Sequence, residues 1–349
     1  MLLYIHIPFC DSKCHYCSFN SYVDKFELKE AYMRALCEQF KYEIENFNIT
    51  CNSIETLYIG GGTPSCIEPY MYKELLELIE PYLQKNIQKS IEANPNSATH
   101  SWLKQIRELG FNRISFGVQS FRDDKLKMLG RAHKSEDAIK AIKDAKELGF
   151  DDISLDIIYG TNMDTKTDIK SDLKEAFKLP INHISAYSLT LEEGTPFESK
   201  KSLSVEDLEL TTLLFDEIEK RGFKQYEISN FGKVKSAHNM GYWEYNTYIG
   251  LGSGAVGFLH NKRFYPSKDI QSYIDKPYER EIELLSDEDI KIEKIFLGLR
   301  SCIGVDENIL HVDELKRAKL LVEEKKLNYE NGRFYNNDFL LSDEIALFL

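Results

Sequence analysis

Short apolar runs alternate with amphipathic stretches over the first 190 or so residues, and this alternation limits the fold more than any other feature. The runs are Leu2–Ile7, Thr56–Ile59, Ser90–Ala93, Arg113–Val118, Ile153–Ile158 and His183–Leu189. Helical periodicity fills 27–47, 70–83, 99–109, 135–148 and 166–178 between them. Strands separated by helices pair in parallel, because the crossover brings the chain back to the same end of the sheet. The pattern leaves two architectures open, a doubly wound sheet and part of a barrel. In both, groups that follow the strands converge on one mouth. Here those groups are a cysteine loop after the first run, Gly60-Gly61-Gly62-Thr63-Pro64 after the second, Glu92-Ala93-Asn94-Pro95 at the third, Gln119 after the fourth and Asp156 in the fifth.

The cysteine loop reads Cys10-Asp11-Ser12-Lys13-Cys14-His15-Tyr16-Cys17. In a chain of 349 residues with 7 cysteines, a preset C-x3-C-x2-C spacing arises by chance in about 0.3% of cases. Thiolates are soft donors that suit zinc or an iron-sulfur cluster. A structural zinc site needs four protein ligands, and no fourth cysteine or second C-x-x-C stands at a suitable distance; His15, between Cys14 and Cys17, is the one other donor. A 4Fe-4S cluster held by three thiolates keeps one iron open to an outside ligand.

These residues resemble the radical S-adenosylmethionine (SAM) signature. The resemblance implies that the amino and carboxylate groups of SAM chelate the open iron and that the reduced cluster cleaves SAM to methionine and a 5′-deoxyadenosyl radical. The hard chemistry then belongs to the cofactor. Tyr4, the three cysteines, Gly61, Gly62, Thr63, Glu92, Gln119, Arg131 and Asp156 follow the order of the oxygen-independent coproporphyrinogen III oxidase-like branch. That resemblance spans most of the chain. It implies SAM contacts at Tyr4, Gly61, Gly62, Thr63, Glu92, Gln119, Arg131 and Asp156, with Thr190 and Val256 as looser matches. It also selects an open six-stranded partial (β/α) barrel, joined to a smaller α+β C-terminal domain. Taken singly, each residue also has a plainer role: the glycines as a tight turn, Glu92 as a capping or paired acid, the others as structural polar groups.

Two departures separate activities within this branch. Coproporphyrinogen oxidases carry an N-terminal extension and a further cysteine two positions after the third, whereas this sequence starts close to the motif and has Phe19, in Phe19-Asn20-Ser21. His238-Asn239-Met240-Gly241-Tyr242-Trp243 resembles the H-N-x-x-Y-W motif of the HemW-type haem chaperones, which implies His238 as a candidate haem ligand, with Lys233, Lys235 and Arg263 as candidate propionate partners. The expectation is therefore a chaperone that binds haem, a 4Fe-4S cluster and SAM and delivers haem to an apo-protein, notably of a respiratory chain. An oxidative decarboxylase of coproporphyrinogen III and a radical SAM enzyme with another substrate are the rivals. Gly250-Leu251-Gly252-Ser253-Gly254-Ala255 matches a dinucleotide fingerprint, but a strand pattern follows where a helix is required.

Composition sets outer limits. With 42% hydrophobic and 29% charged residues, the chain has ample material for a globular core. A net charge of −13 argues against binding a phosphate backbone. No apolar run approaches the roughly 20 residues of a membrane span. An N-terminus without a basic segment and an odd cysteine count with no disulfide framework are the expectation for a cytoplasmic protein; they leave its oligomeric state open. Expected domain bounds are 1–200 for the radical SAM core, 201–280 for an extension carrying the H-N-x-x-Y-W motif, and 281–349 for a helical, winged-helix-like domain. A hairpin is expected around Asn336-Asn337, and Cys37, Cys51, Cys66 and Cys302 are expected as buried thiols.

Overall fold

The computed structural model describes residues 1–349. Its first half alternates strand and helix: β1 Leu2–Ile7, α1 Lys29–Asn46, β2 Ile54–Gly61, α2 Lys73–Ile79, β3 Leu83–Ala93, α3 His100–Glu108, β4 Arg113–Gln119, α4 Asp123–Leu129, α5 Ser135–Glu147, β5 Asp152–Tyr159, α6 Lys166–Ala176 and β6 His183–Ser188. Strands β1 to β6 lie side by side in sequence order, each parallel to the next. Both faces of such a sheet are covered, so β1 is apolar on nearly every residue and almost wholly buried. Helix starts follow local capping chemistry: Thr99 accepts from the Trp102 amide, and Thr165 and Asp168 form a capping box.

The chain continues with α7 Leu208–Glu219, β7 Lys224–Gln225, β8 Asn230–Gly232, α8 Ala237–Trp243, β9 Tyr248–Leu251, β10 Gly257–Leu259, β11 Lys262–Pro266, α9 Ile270–Asp275 and β12 Arg280–Leu284. These strands extend the same sheet at both ends, in the order β12-β11-β10-β9-β1-β2-β3-β4-β5-β6-β8-β7. The two end strands are not paired with each other, so the barrel stays open. Segment 201–280 is thus woven into the sheet of the first 200 residues. Helix α8 packs on β2, and Gly241 lets it approach β1, since a Cβ there would stand 2.6 Å from Leu2.

The last segment holds α10 Asp287–Leu299, β13 Val305–Asp306, α11 Val312–Glu323, β14 Leu327–Glu330, β15 Arg333–Asn336 and α12 Ser342–Phe348. It has its own small core, built on Leu299, Val305, Leu321, Leu327 and Phe334, separate from the main core under the large sheet. Its hairpin turns at Asn331-Gly332 rather than at Asn336-Asn337. Both turn residues have positive φ, 51° and 77°, the conformation that Asn-Gly adopts most readily; Asn336 instead ends β15 and donates to the Leu299 carbonyl. Cys51 is exposed and Cys302 half-buried, against the expectation of buried thiols, whereas Cys37 and Cys66 are buried. No helix is long and apolar enough to cross a membrane.

Candidate functional site

The C-terminal ends of β1 to β6 surround a cavity of about 350 Å³ lined by Cys10, Cys14, Cys17, Gly61, Gly62, Thr63, Glu92, Gln119, Arg131, Asp156 and Thr190. Ten of the sequence-derived candidates, all but Tyr4 and His238 of the main set, therefore meet in one place. The cysteine loop leaves β1 and folds over the mouth; the Cys17 amide donates to the Cys14 carbonyl, 3.2 Å, which tightens the turn. Cys10 Sγ lies 3.2 Å from Thr63 Oγ1. Burial raises the Cys10 and Cys17 thiols above their ordinary value, so a bound metal is what would hold them as thiolates. His15 points away from the sulfurs, its Nδ1 2.9 Å from the Met128 carbonyl.

Polar side chains line the floor. Tyr58 donates to Glu92 Oε1 at 2.7 Å and the Gly61 amide to Oε2 at 3.1 Å; burial still pushes the Glu92 carboxyl up to about 7. Asp156 accepts from Ser115 Oγ at 3.4 Å and is raised by burial to about 6. Arg131 donates through Nη2 to Asn94 Oδ1 and the Gly117 carbonyl, both at 2.6 Å, and through Nη1 to Cys14 Sγ at 3.3 Å. The guanidinium thus stands beside the sulfur ligands as well as the floor. Asn94 joins this network to Thr63 Oγ1, 3.0 Å. Sequence reasoning missed Asn94, Ser115 and Tyr187; Asn94 lay in a flagged motif but only its neighbour Glu92 was a candidate.

The lining fits a group larger than the side chains themselves fill. Gln119 Oε1 and Arg131 Nε are buried with no partner in the protein, which is costly unless a ligand supplies one. Gln119 also sits at φ 68°, unusual for a residue with a side chain. A Cβ on Gly62 would stand 3.0 Å from Cys10 Sγ and 2.9 Å from the Phe9 carbonyl oxygen. Cys10, Cys14 and Cys17 line this one cavity, a donor set that suits a polynuclear cluster with one iron left open.

A second cavity, of about 710 Å³, adjoins the first; Ser18, Phe19, Gly61 and Glu92 line both. Tyr4 belongs here, with its hydroxyl 3.1 Å from His6 Nδ1. Val256, Tyr242, Tyr245, Tyr248, Phe258 and Arg263 form much of the wall, and Phe296 and Leu297 of α10 close it. His238 is absent from the lining. It is 1% exposed, with Nδ1 2.8 Å from Thr56 Oγ1 and Nε2 3.0 Å from the Tyr242 hydroxyl. Both ring nitrogens are engaged, so neither presents a lone pair to an iron as the chain stands. Burial lowers the imidazole to about 3, leaving it neutral. Lys235 is directed to Cys302 Sγ, 3.1 Å, and Lys233 lies over the Phe223 ring; of the three candidate propionate partners only Arg263 reaches the cavity.

Comparison with known proteins agrees with this geometry. Residues 4–176 match the model of the Radical SAM superfamily. The protein named "Heme chaperone HemW" of Bacillus subtilis is 36% identical over 326 residues, covering 87% of this chain and 84% of its own. The chain belongs to the HemW family of radical SAM proteins. HemW of Escherichia coli is 32% identical over 306 residues, covering 79% of this chain and 80% of its own. "Radical S-adenosyl methionine domain-containing protein 1, mitochondrial" of Bos taurus is 30% identical over 332 residues, with 87% and 74% covered. The fold matches coproporphyrinogen III oxidase (HemN) of Escherichia coli with a TM-score of 0.83, over 99% of this chain and 89% of that one, at 20% identity. Membership of the HemW family implies a 4Fe-4S cluster and SAM, and the donors and unpartnered polar atoms of the smaller cavity fit both.

Proposed function

We propose that this protein is a cytoplasmic haem chaperone: it binds haem beside a 4Fe-4S cluster with SAM and passes the haem to an apo-protein, notably a respiratory enzyme. The observation that carries the reading is the pair of adjoining cavities. One gathers three cysteines and the polar floor; the other, twice its volume, is walled by aromatic side chains, in a chain whose relatives are named haem chaperones.

Cys10, Cys14 and Cys17 are the cluster ligands in this reading. Bound there with SAM, the cluster supplies one-electron chemistry. Glu92, with the main chain of Gly61 and Gly62, would receive the ammonium of SAM; Gln119 and Asp156 would hold its ribose, and Arg131, beside Cys14 Sγ, would supply a cation for its carboxylate. Thr63 positions Cys10 through its hydroxyl. The apolar walls of the larger cavity exclude water from a macrocycle, and Phe19, 65% exposed at the rim of both cavities, lies where cargo enters or leaves.

The test uses the full chain, anaerobically reconstituted with iron and sulfide. Titration with haem is expected to reach one equivalent, and the loaded protein is expected to transfer haem to an apo-cytochrome. Incubation with SAM, reductant and coproporphyrinogen III is expected to leave the tetrapyrrole unchanged. Formation of protoporphyrinogen, or failure to bind haem, overturns the reading.

A further inference from the structure

The larger cavity offers haem iron no histidine nitrogen. His6 reaches its wall, but Nδ1 is taken by the Tyr4 hydroxyl at 3.1 Å and Nε2 by the Asn20 carbonyl at 2.8 Å. His238 stands behind the wall, and the group in front of it is the Tyr242 phenol. Among the cavity tyrosines, Tyr4 is turned to His6, Tyr245 to Glu293 and Tyr248 to Arg263. Tyr4 and Tyr242 both have the oxygen against a buried imidazole, but the roles differ. His6 Nε2 meets the Asn20 carbonyl and so carries the ring proton, leaving Nδ1 to accept from Tyr4, whereas His238 Nδ1 meets the Thr56 hydroxyl and leaves Nε2 to donate toward Tyr242. Its ring is held edge-on against Tyr248, with centroids 4.7 Å apart, and against His238 at 4.8 Å.

Resting on the haem-binding reading, we propose that ferric haem enters this cavity with its iron ligated by the Tyr242 oxygen, that His238 is a positioning residue donating to that oxygen, and that Arg263 and Lys268 meet the propionates. Phenolate is a known axial ligand class for haem iron, and the hydrogen bond behind a ligand orients it and tunes its basicity. The iron–oxygen bond forms as the phenolic proton leaves to water at the cavity mouth; the iron remains ferric and no electron moves. Burial raises the phenol above its ordinary value, so it is the ferric charge that displaces the proton. His238 carries one ring proton. With the Thr56 hydroxyl donating to Nδ1, that proton sits on Nε2 and points at the phenolate. Phe258, Phe296 and Leu297 supply apolar faces for the macrocycle. Lys268 is an exposed cation at the rim without an acidic partner, and Arg263 is shared with Glu293 at 2.6 Å.

The experiment titrates the reconstituted full chain with ferric haem and reads visible absorption and resonance Raman spectra, with circular dichroism and cluster absorbance as checks of folding. Wild type is expected to show high-spin ferric haem with phenolate vibrations. Tyr242→Phe is expected to lose those vibrations, and Tyr242→His to replace them with an imidazole-ligated spectrum. His238→Ala is expected to keep phenolate ligation with shifted vibrations and affinity lower by about 10- to 100-fold, partly restored by His238→Gln. An imidazole spectrum in wild type that vanishes in His238→Ala, or phenolate vibrations that persist in Tyr242→Phe, overturns the assignment while leaving the haem-chaperone reading standing. Absence of haem binding in wild type overturns both.

Discussion

Replacing Gly62 by alanine tests how tightly the cysteine loop is moulded onto the end of β2. The added methyl would lie 2.9 Å from the Phe9 carbonyl oxygen, 3.0 Å from Cys10 Sγ and 3.1 Å from the Ile7 carbonyl oxygen. Two of those neighbours are backbone, and the Gly62 amide donates to the same Ile7 carbonyl at 2.8 Å. The strand cannot retreat without losing that bond, so the loop carrying Cys10 must move by several tenths of an ångström. Overpacking of this kind costs about 1–3 kcal/mol, and for a chain of this size that lowers the melting temperature by about 2–4 °C per kcal/mol at most. The effect on the cluster is expected to be larger than the effect on the fold, because in the proposed reading a displaced Cys10 removes one of three sulfur ligands. Iron and sulfide content after anaerobic reconstitution, read beside thermal unfolding of the cluster-free protein, separates the two. The expected outcome is less than half the wild-type iron with a melting point lower by a few degrees. Wild-type iron content with an unchanged melting point would refute the argument.

Three other outcomes follow from the geometry. Serine at Cys10, Cys14 or Cys17 is expected to abolish the iron-sulfur absorbance, whereas serine at Cys37 or Cys302 leaves it intact, as metal analysis will show. Glu92 is held up at about 7, against about 4.3 for an exposed glutamate; its folded-state value is raised, so its ionisation costs the ligand-free protein stability as pH rises from about 4 to 7. If Glu92 receives the SAM ammonium as proposed, it must do so as the carboxylate, so SAM affinity is expected to fall about five-fold from pH 7 to pH 6, and a flat calorimetric profile across that range would refute it. Lys125 and Asp164, 1% and 2% exposed, form an ion pair at 2.6 Å, with the ammonium also on the Ile158 carbonyl at 2.7 Å. Asp164→Asn leaves that ammonium buried without its counter-charge and is expected to destabilise by about 3–5 kcal/mol in urea unfolding.

The order of strands and helices was legible in the residues because each apolar run is short and each helix amphipathic, so local periodicity and final burial agree. The cysteine spacing and the glycine run were legible for the same reason: ligand loops at strand ends are local in the chain. Short elements escaped, among them α4 and α8, seven residues each; α2 is as short, but the 3-10 turns Pro69–Tyr72 and Glu80–Tyr82 at its two ends lengthen its pattern. The resemblance, not the periodicity, chose an open barrel over a doubly wound sheet.

What tertiary structure alone decided is where side chains from distant segments point. His238 stands in a motif that suggests a ligand, yet its ring is claimed by Thr56, 182 positions away, and by Tyr242 one turn along the same helix. Arg131 meets Cys14 across 117 positions, and the wall of the larger cavity draws on β1, the loop after Cys17, the segment from α8 to β11, and α10. A sequence sets which groups are present and which local conformations they prefer. Which hydrogen-bond partner each buried group obtains is settled only when packing brings the competitors together, because a desolvated polar atom takes whichever partner the assembled fold places within reach.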